Sequence, residues 1–201
     1  MSRKPTPRPR RSARPAPAKA TLRVVAGSAG GRRIEVPPGS GTRPTSDRVR
    51  EAVFNALDSL GAVDGARVFD GFAGSGALGI EALSRGAAHA TFADADPQAV
   101  AVVERNLRAL DLAGSATVVS RPAERALGER APFDLVLLDP PYAYEGWPAL
   151  LADVVASLAP AGVVVIESDR EVVLPDGLVG VRSKAYGGTV VQFAAAAGAP
   201  T

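Results

Sequence analysis

The sequence predicts an α/β protein: a mostly parallel sheet covered by helices on both faces. Three observations predict it. From Val68 onward, short runs rich in Val, Leu and Phe alternate with segments of helical period. The runs are continuously apolar, as strands buried on both faces require. A glycine-rich turn, Gly71-Phe72-Ala73-Gly74-Ser75-Gly76, joins the first of these runs to a helix.

The elements follow in order. Residues 1–20 hold five Pro, five Arg, two Lys and no acid, and read as a disordered basic tail. Leu22–Ala26 and Arg33–Val36 are short strand-like runs, and Gly27-Ser28-Ala29-Gly30-Gly31 between them reads as a hairpin turn. Pro37–Gly41 is a loop. Thr45 or Ser46 can cap a helix to about Leu60, with Val49, Val53, Phe54 and Leu57 as its apolar stripe. Strands are expected at Val68-Phe69, Ala90–Ala93, Thr117–Val119, Phe133–Leu138 and Gly162–Glu167. Helices are expected at Ala77–Arg85, Pro97–Leu110 and Trp147–Leu158, and a final hairpin at Gly177–Gly187 and Thr189–Ala194. That is one domain over residues 21–194, with a sheet of seven strands whose last two form an antiparallel hairpin, and a frayed tail at 195–201.

Composition excludes much chemistry. The 201 residues contain no Cys and a single His, His89, which reads as a surface residue before a strand. Disulfides, thiolate metal sites and a cysteine nucleophile are excluded, and a Ser-His-Asp triad or multi-His centre has almost nothing to work with. No metal is expected. Nothing approaches the roughly 18 apolar residues of a membrane span, and the basic N-terminus lacks a signal peptide's apolar region. A cytoplasmic monomer is the expectation. Charge is split: residues 1–50 carry thirteen basic and two acidic residues, leaving +11, while the rest carries ten basic and nineteen acidic, leaving −9. One end suits a polyanion, a nucleic acid or an anionic surface.

Gly74, Gly76 and Gly79 fit the dinucleotide fingerprint, and Asp94 follows twenty residues after Gly74, where an acid can hold ribose hydroxyls. Asp70, however, closes the strand before the turn. A carboxylate beside a pyrophosphate is repulsive. It suits a ligand with an ammonium and a sulfonium, which describes S-adenosyl-L-methionine. Downstream, Leu138-Asp139-Pro140-Pro141-Tyr142 sits where the fourth sheet strand ends. Two prolines remove two N–H donors. The Asp139 carboxylate and the Pro140 carbonyl remain as acceptors, followed by the Tyr142 ring. These groups fit an exocyclic amine of a nucleobase, guanine N2 or adenine N6. Trp147 reads as packing.

The glycine turn, Asp94 and Asp139–Tyr142 together resemble a class I S-adenosylmethionine-dependent amino-methyltransferase with a Rossmann-like fold. Arg23–Gly27, Gly30–Ile34, Asp70–Ser84 and above all Arg43-Pro44-Thr45-Ser46-Asp47-Arg48-Val49-Arg50-Glu51 resemble the RsmD family. The resemblance spans about Leu22 to Phe193. It implies methylation of a guanine N2 in 16S ribosomal RNA of the small subunit. It implies that Asp70, Phe72, Ala73, Gly74, Gly76, Asp94 and Ala95 bind the cofactor. Asp139, Pro140 and Tyr142 would then be catalytic, with Pro141 beside the base. Arg32, Arg33, Arg43, Arg48 and Arg50 are candidate phosphate contacts, and the hairpin 22–36 an RNA-binding element. One departure stands out: where many relatives have Asp or Asn for the adenine amine, this chain has Arg121-Pro122-Ala123. Three rivals stay open: a methyltransferase for adenine N6, an NAD-dependent oxidoreductase, and a non-catalytic RNA-binding or assembly factor.

Overall fold

The computed structural model describes residues 21–38, 47–129 and 132–198. The basic tail, Arg43 and the candidate caps Thr45 and Ser46 lie outside them. Seven strands form one sheet: β3 (Arg67–Gly71), β4 (His89–Asp94), β5 (Ala116–Ser120), β6 (Phe133–Leu138), β7 (Leu158–Ser168), β8 (Leu178–Tyr186) and β9 (Thr189–Ala196). Their order is β5-β4-β3-β6-β7-β9-β8, and β9 runs antiparallel between β7 and β8. A separate two-stranded hairpin pairs β1 (Thr21–Arg23) with β2 (Arg33–Glu35). The helices are α1 (Asp47–Ser59), α2 (Ala77–Ser84), α3 (Pro97–Ala109), α4 (Ala123–Ala126) and α5 (Trp147–Ser157).

Strand pleating explains the continuous apolar runs. Successive side chains point to opposite faces. Val68, Leu135, Leu137, Val163 and Val165 therefore join the core shared with α1, α2 and α3. Phe69, Val136, Leu138, Val164 and Ile166 join a second core under α4 and α5. α3 starts as its sequence dictates: Asp96 accepts the Gln98 N–H at 2.8 Å, and Pro97 occupies the first turn, where no N–H is needed.

Several expectations shift. Ala195 and Ala196, expected to fray, pair with Val179 and Leu178. β7 begins at Leu158, where the helix was expected to end. α4 was not foreseen; its four residues lie below the length that a periodicity can mark. His89 opens β4 rather than preceding it, half-buried, with Nε2 3.0 Å from Thr117 Oγ1.

Strand order reverses between β3 and β6, whose neighbours β4 and β7 lie on opposite sides. In such a sheet, ligands bind beyond the carboxyl ends of the strands at the reversal. Both predicted motifs lie there: the glycine turn follows β3 and Asp139 follows β6.

Candidate active site

The glycine turn is held from within. Gly76, at φ 77°, caps α2, and Phe72, at φ 63°, is one of only two non-glycine residues with positive φ among those described. The Ala73 N–H donates to the Ala93 carbonyl at 3.1 Å, and the Gly76 N–H to the Ala73 carbonyl. The third glycine lets helix and strand approach closely. A Cβ at Gly79 would lie 2.4 Å from the Phe92 ring, and its N–H donates to Asp70 Oδ2 at 2.8 Å.

Asp70 is 2 % exposed. Burial pushes its carboxyl up to about 8, against the pull of the Gly79 N–H, and the charges of Asp139 and Asp94 push the same way. Three acidic side chains thus converge at the reversal. The negative charge of Asp94 and Asp139 disfavours a pyrophosphate there and favours a cation. Asp94, half-buried at the end of β4, accepts the Gly74 N–H at 2.8 Å and the Asp96 N–H at 2.9 Å, one on each oxygen. Each oxygen keeps a second lone pair for a hydroxyl. Ala95 is exposed beside it.

Beyond β6, Asp139 is half-buried, Pro140 buried and Pro141 exposed, and the Pro141 carbonyl accepts the Tyr144 N–H at 2.8 Å. Tyr142 is 37 % exposed, with its hydroxyl 2.7 Å from Thr189 Oγ1. Trp147 is buried packing. It meets the edge of Tyr144, which in turn meets Phe72 with centroids 5.2 Å apart. The Tyr144 hydroxyl donates to Glu124 on α4, and burial and that bond push it above the usual tyrosine range. This aromatic wall links the two motifs, and the sequence reading did not anticipate Tyr144. At the departure noted above, Arg121 and Pro122 are exposed, whereas Ala123 is buried against Gly71.

The arginines divide. Arg33 and Arg48 are exposed. Arg32 bonds the carbonyls of Ala109 and Leu110 at the end of α3 and lies 3.7 Å from Asp111. Arg50 corrects the expectation. It is 2 % exposed, bonded to the Arg23 carbonyl and to Asp47, with Nε 3.7 Å from Glu81. No phosphate reaches it. The signal was present: Arg50 precedes Val53, Phe54 and Leu57 by three, four and seven residues, on the apolar stripe.

Glu81 explains why. It is fully buried on α2 and accepts the N–H groups of Val25 at 2.7 Å and Ala26 at 3.0 Å, while Arg85 reaches it at 2.8 Å. Ser84 adds a second clasp, accepting the Ala29 N–H at 2.9 Å. The N-terminal hairpin is therefore fixed to the helix that follows the glycine turn.

A protein-family model described as Conserved hypothetical protein 95 matches residues 22–195. The chain belongs to the RsmD family. YlbH of Bacillus subtilis is 44% identical over 181 residues, covering 86% of this chain and 97% of its own. Ribosomal RNA small subunit methyltransferase D of Haemophilus influenzae is 33% identical over 183 residues, covering 85% and 91%. The solved structure of yhhF from Escherichia coli superposes with a TM-score of 0.79 at 34% identity, covering 88% of this chain and 98% of that one. The RsmD-family chain has the Rossmann-like class I methyltransferase fold. Among its described residues, no helix is long and apolar enough to cross a membrane.

Proposed function

We propose that this chain uses S-adenosylmethionine to methylate the exocyclic N2 amine of a guanine in 16S ribosomal RNA. Methylation of ribosomal RNA by this cofactor is supported by the relatives; one bears the name ribosomal RNA small subunit methyltransferase D. The choice of guanine N2 rests on the family resemblance and on the Asp139–Tyr142 turn.

The observation that carries the reading is the convergence of Asp70 and Asp139 at the sheet reversal. The buried Asp70 carboxyl fits a cationic cofactor, because a neighbouring ammonium restores its charge. Gly74 and Gly76 offer bare backbone, and Asp94 offers free lone pairs to ribose hydroxyls. Phe72, Ala73 and Ala95 complete that wall. When bound, S-adenosylmethionine supplies an electrophilic methyl carbon on a sulfonium. The chain's own work is positioning. The Asp139 carboxylate and the Pro140 carbonyl accept the two amine hydrogens and aim the nitrogen lone pair. Asp139 takes the proton that the amine sheds. The exposed Tyr142 ring stacks on the base, which has to be unstacked from its RNA helix to arrive. Arg33 and Arg48 meet phosphates. The protein acts as a monomer in the cytoplasm.

The test is nucleoside analysis of small-subunit RNA after incubation with labelled cofactor. Label in N2-methylguanosine supports the proposal. Label in N6-methyladenosine keeps the cofactor site and overturns the base.

A further inference from the structure

The C-terminal hairpin carries features that the reaction above does not use. β8 is an edge strand, and seven of its nine residues, Val179 to Ala185, are exposed. Past a bulge at Val181, Arg182 pairs with Phe193, Lys184 with Val191 and Tyr186 with Thr189. Directly opposed residues share a face of the sheet. Val191 and Phe193 are buried in the core beneath α1, α2 and α3, and Tyr186 packs on that same core. Arg182, Lys184, Tyr186 and Thr189 therefore line one face. The Lys184 ammonium lies 5.0 Å from the centre of the Tyr186 ring. At the end of the row, Thr189 meets the Tyr142 hydroxyl at 2.7 Å.

We propose that this face is a second RNA-binding surface: Arg182 and Lys184 hold phosphates of the strand flanking the target base, and Thr189 fixes Tyr142 as its stacking platform. The inference deepens the function proposed above and rests on it. Charge complementarity supports this occupant. Residues 51–201 carry −9 overall, yet two cations stand side by side here. Among the described residues neither has an ion-pair partner. The nearby acid, Glu171, accepts the Ser183 hydroxyl at 2.6 Å from the alternate position on β8. Charged residues also protect sheet edges from pairing. Edge protection, however, needs no connection to Tyr142, whereas this row runs into it. Thr189 is a positioning residue, because it acts through Tyr142.

The experiment uses the full chain and RNA of unmethylated small subunits. Binding is followed against salt, separately from methyl transfer. In the Arg182→Ala/Lys184→Ala variant, affinity at low salt falls roughly tenfold. The slope of log affinity against log salt falls by about 1.4, the value for two single-strand phosphate contacts. Cofactor affinity and circular dichroism stay as in the parent. Thr189→Val slows methyl transfer about tenfold without changing cofactor affinity, and Thr189→Ser restores it. Unchanged RNA affinity and slope in the double variant overturn the proposal. So does a changed sedimentation coefficient with RNA binding intact, which would make β8 a protein contact. A parent that binds RNA through these cations yet transfers no methyl overturns the reaction and leaves the surface standing.

Discussion

The side-chain amide of Asn106 donates to the carbonyl of Ser75, inside the glycine turn, at 2.9 Å. The same nitrogen donates to the Glu35 carbonyl at 2.9 Å, and its oxygen accepts the Glu35 N–H at 2.8 Å. One buried residue of α3 thus ties the N-terminal hairpin to the glycine turn. Asn106→Ala removes all three of these hydrogen bonds, and a buried backbone group that loses its bond costs about 1–3 kcal/mol. Urea unfolding should show a loss of at least about 2 kcal/mol. Calorimetric titration should show weaker cofactor binding in the same variant.

Asp70 makes stability depend on pH. Its carboxyl is pushed up to about 8 in the folded protein, from 3.8. Between those values the folded chain holds a proton that the unfolded chain releases. The stabilisation is complete below the unfolded value and is lost as pH climbs through about 8. Thermal melts of the free protein should fall across this window. Asp70→Asn should flatten the fall and raise stability at alkaline pH by about 1–3 kcal/mol, since it buries no charge. Affinity for S-adenosylmethionine should rise with pH toward 8 in the parent and lose that slope in the variant.

Arg48 and Arg50 lie two residues apart and should behave as opposites. Arg48→Ala, at an exposed position, should alter stability by less than about 0.5 kcal/mol while weakening RNA binding. Arg50→Ala removes one partner of a buried ion pair, a loss of about 3–5 kcal/mol. Glu81→Ala should cost as much, because it strands Arg50 and Arg85 and frees the Val25 and Ala26 N–H groups. Thermal unfolding and limited proteolysis of the N-terminal hairpin measure both.

Gly79→Ala drives a methyl to within 2.4 Å of the Phe92 ring. Overpacking of this kind costs about 1–3 kcal/mol. The displaced turn should bind cofactor more weakly, readable by titration.

The sequence made the strands and the two site motifs legible because each is local. An apolar run marks a buried strand, and the alternation of runs and helices marks a parallel sheet, whereas the reversal between β3 and β6 is read from the strand order itself. The place of Asp70, closing the strand before the glycines, is readable in the same way. The contacts that join the parts were not legible. Glu81 to Val25, Asn106 to Ser75 and Tyr142 to Thr189 bridge 56, 31 and 47 residues. Nothing in local spacing pairs them. For Arg50 helical phase outweighs charge: one turn of α1 places Arg48 in solvent and Arg50 against Glu81.

In the proposed reaction Asp139 presents an RNA base amine to a cofactor held beside Asp70. Single-turnover methyl transfer to unmethylated small-subunit particles at saturating cofactor compares the parent with Asp139→Ala. The expected result is a fall in rate of at least about 100-fold, with cofactor affinity within a few-fold of the parent. An Asp139→Ala protein that transfers methyl at the parental rate would contradict it.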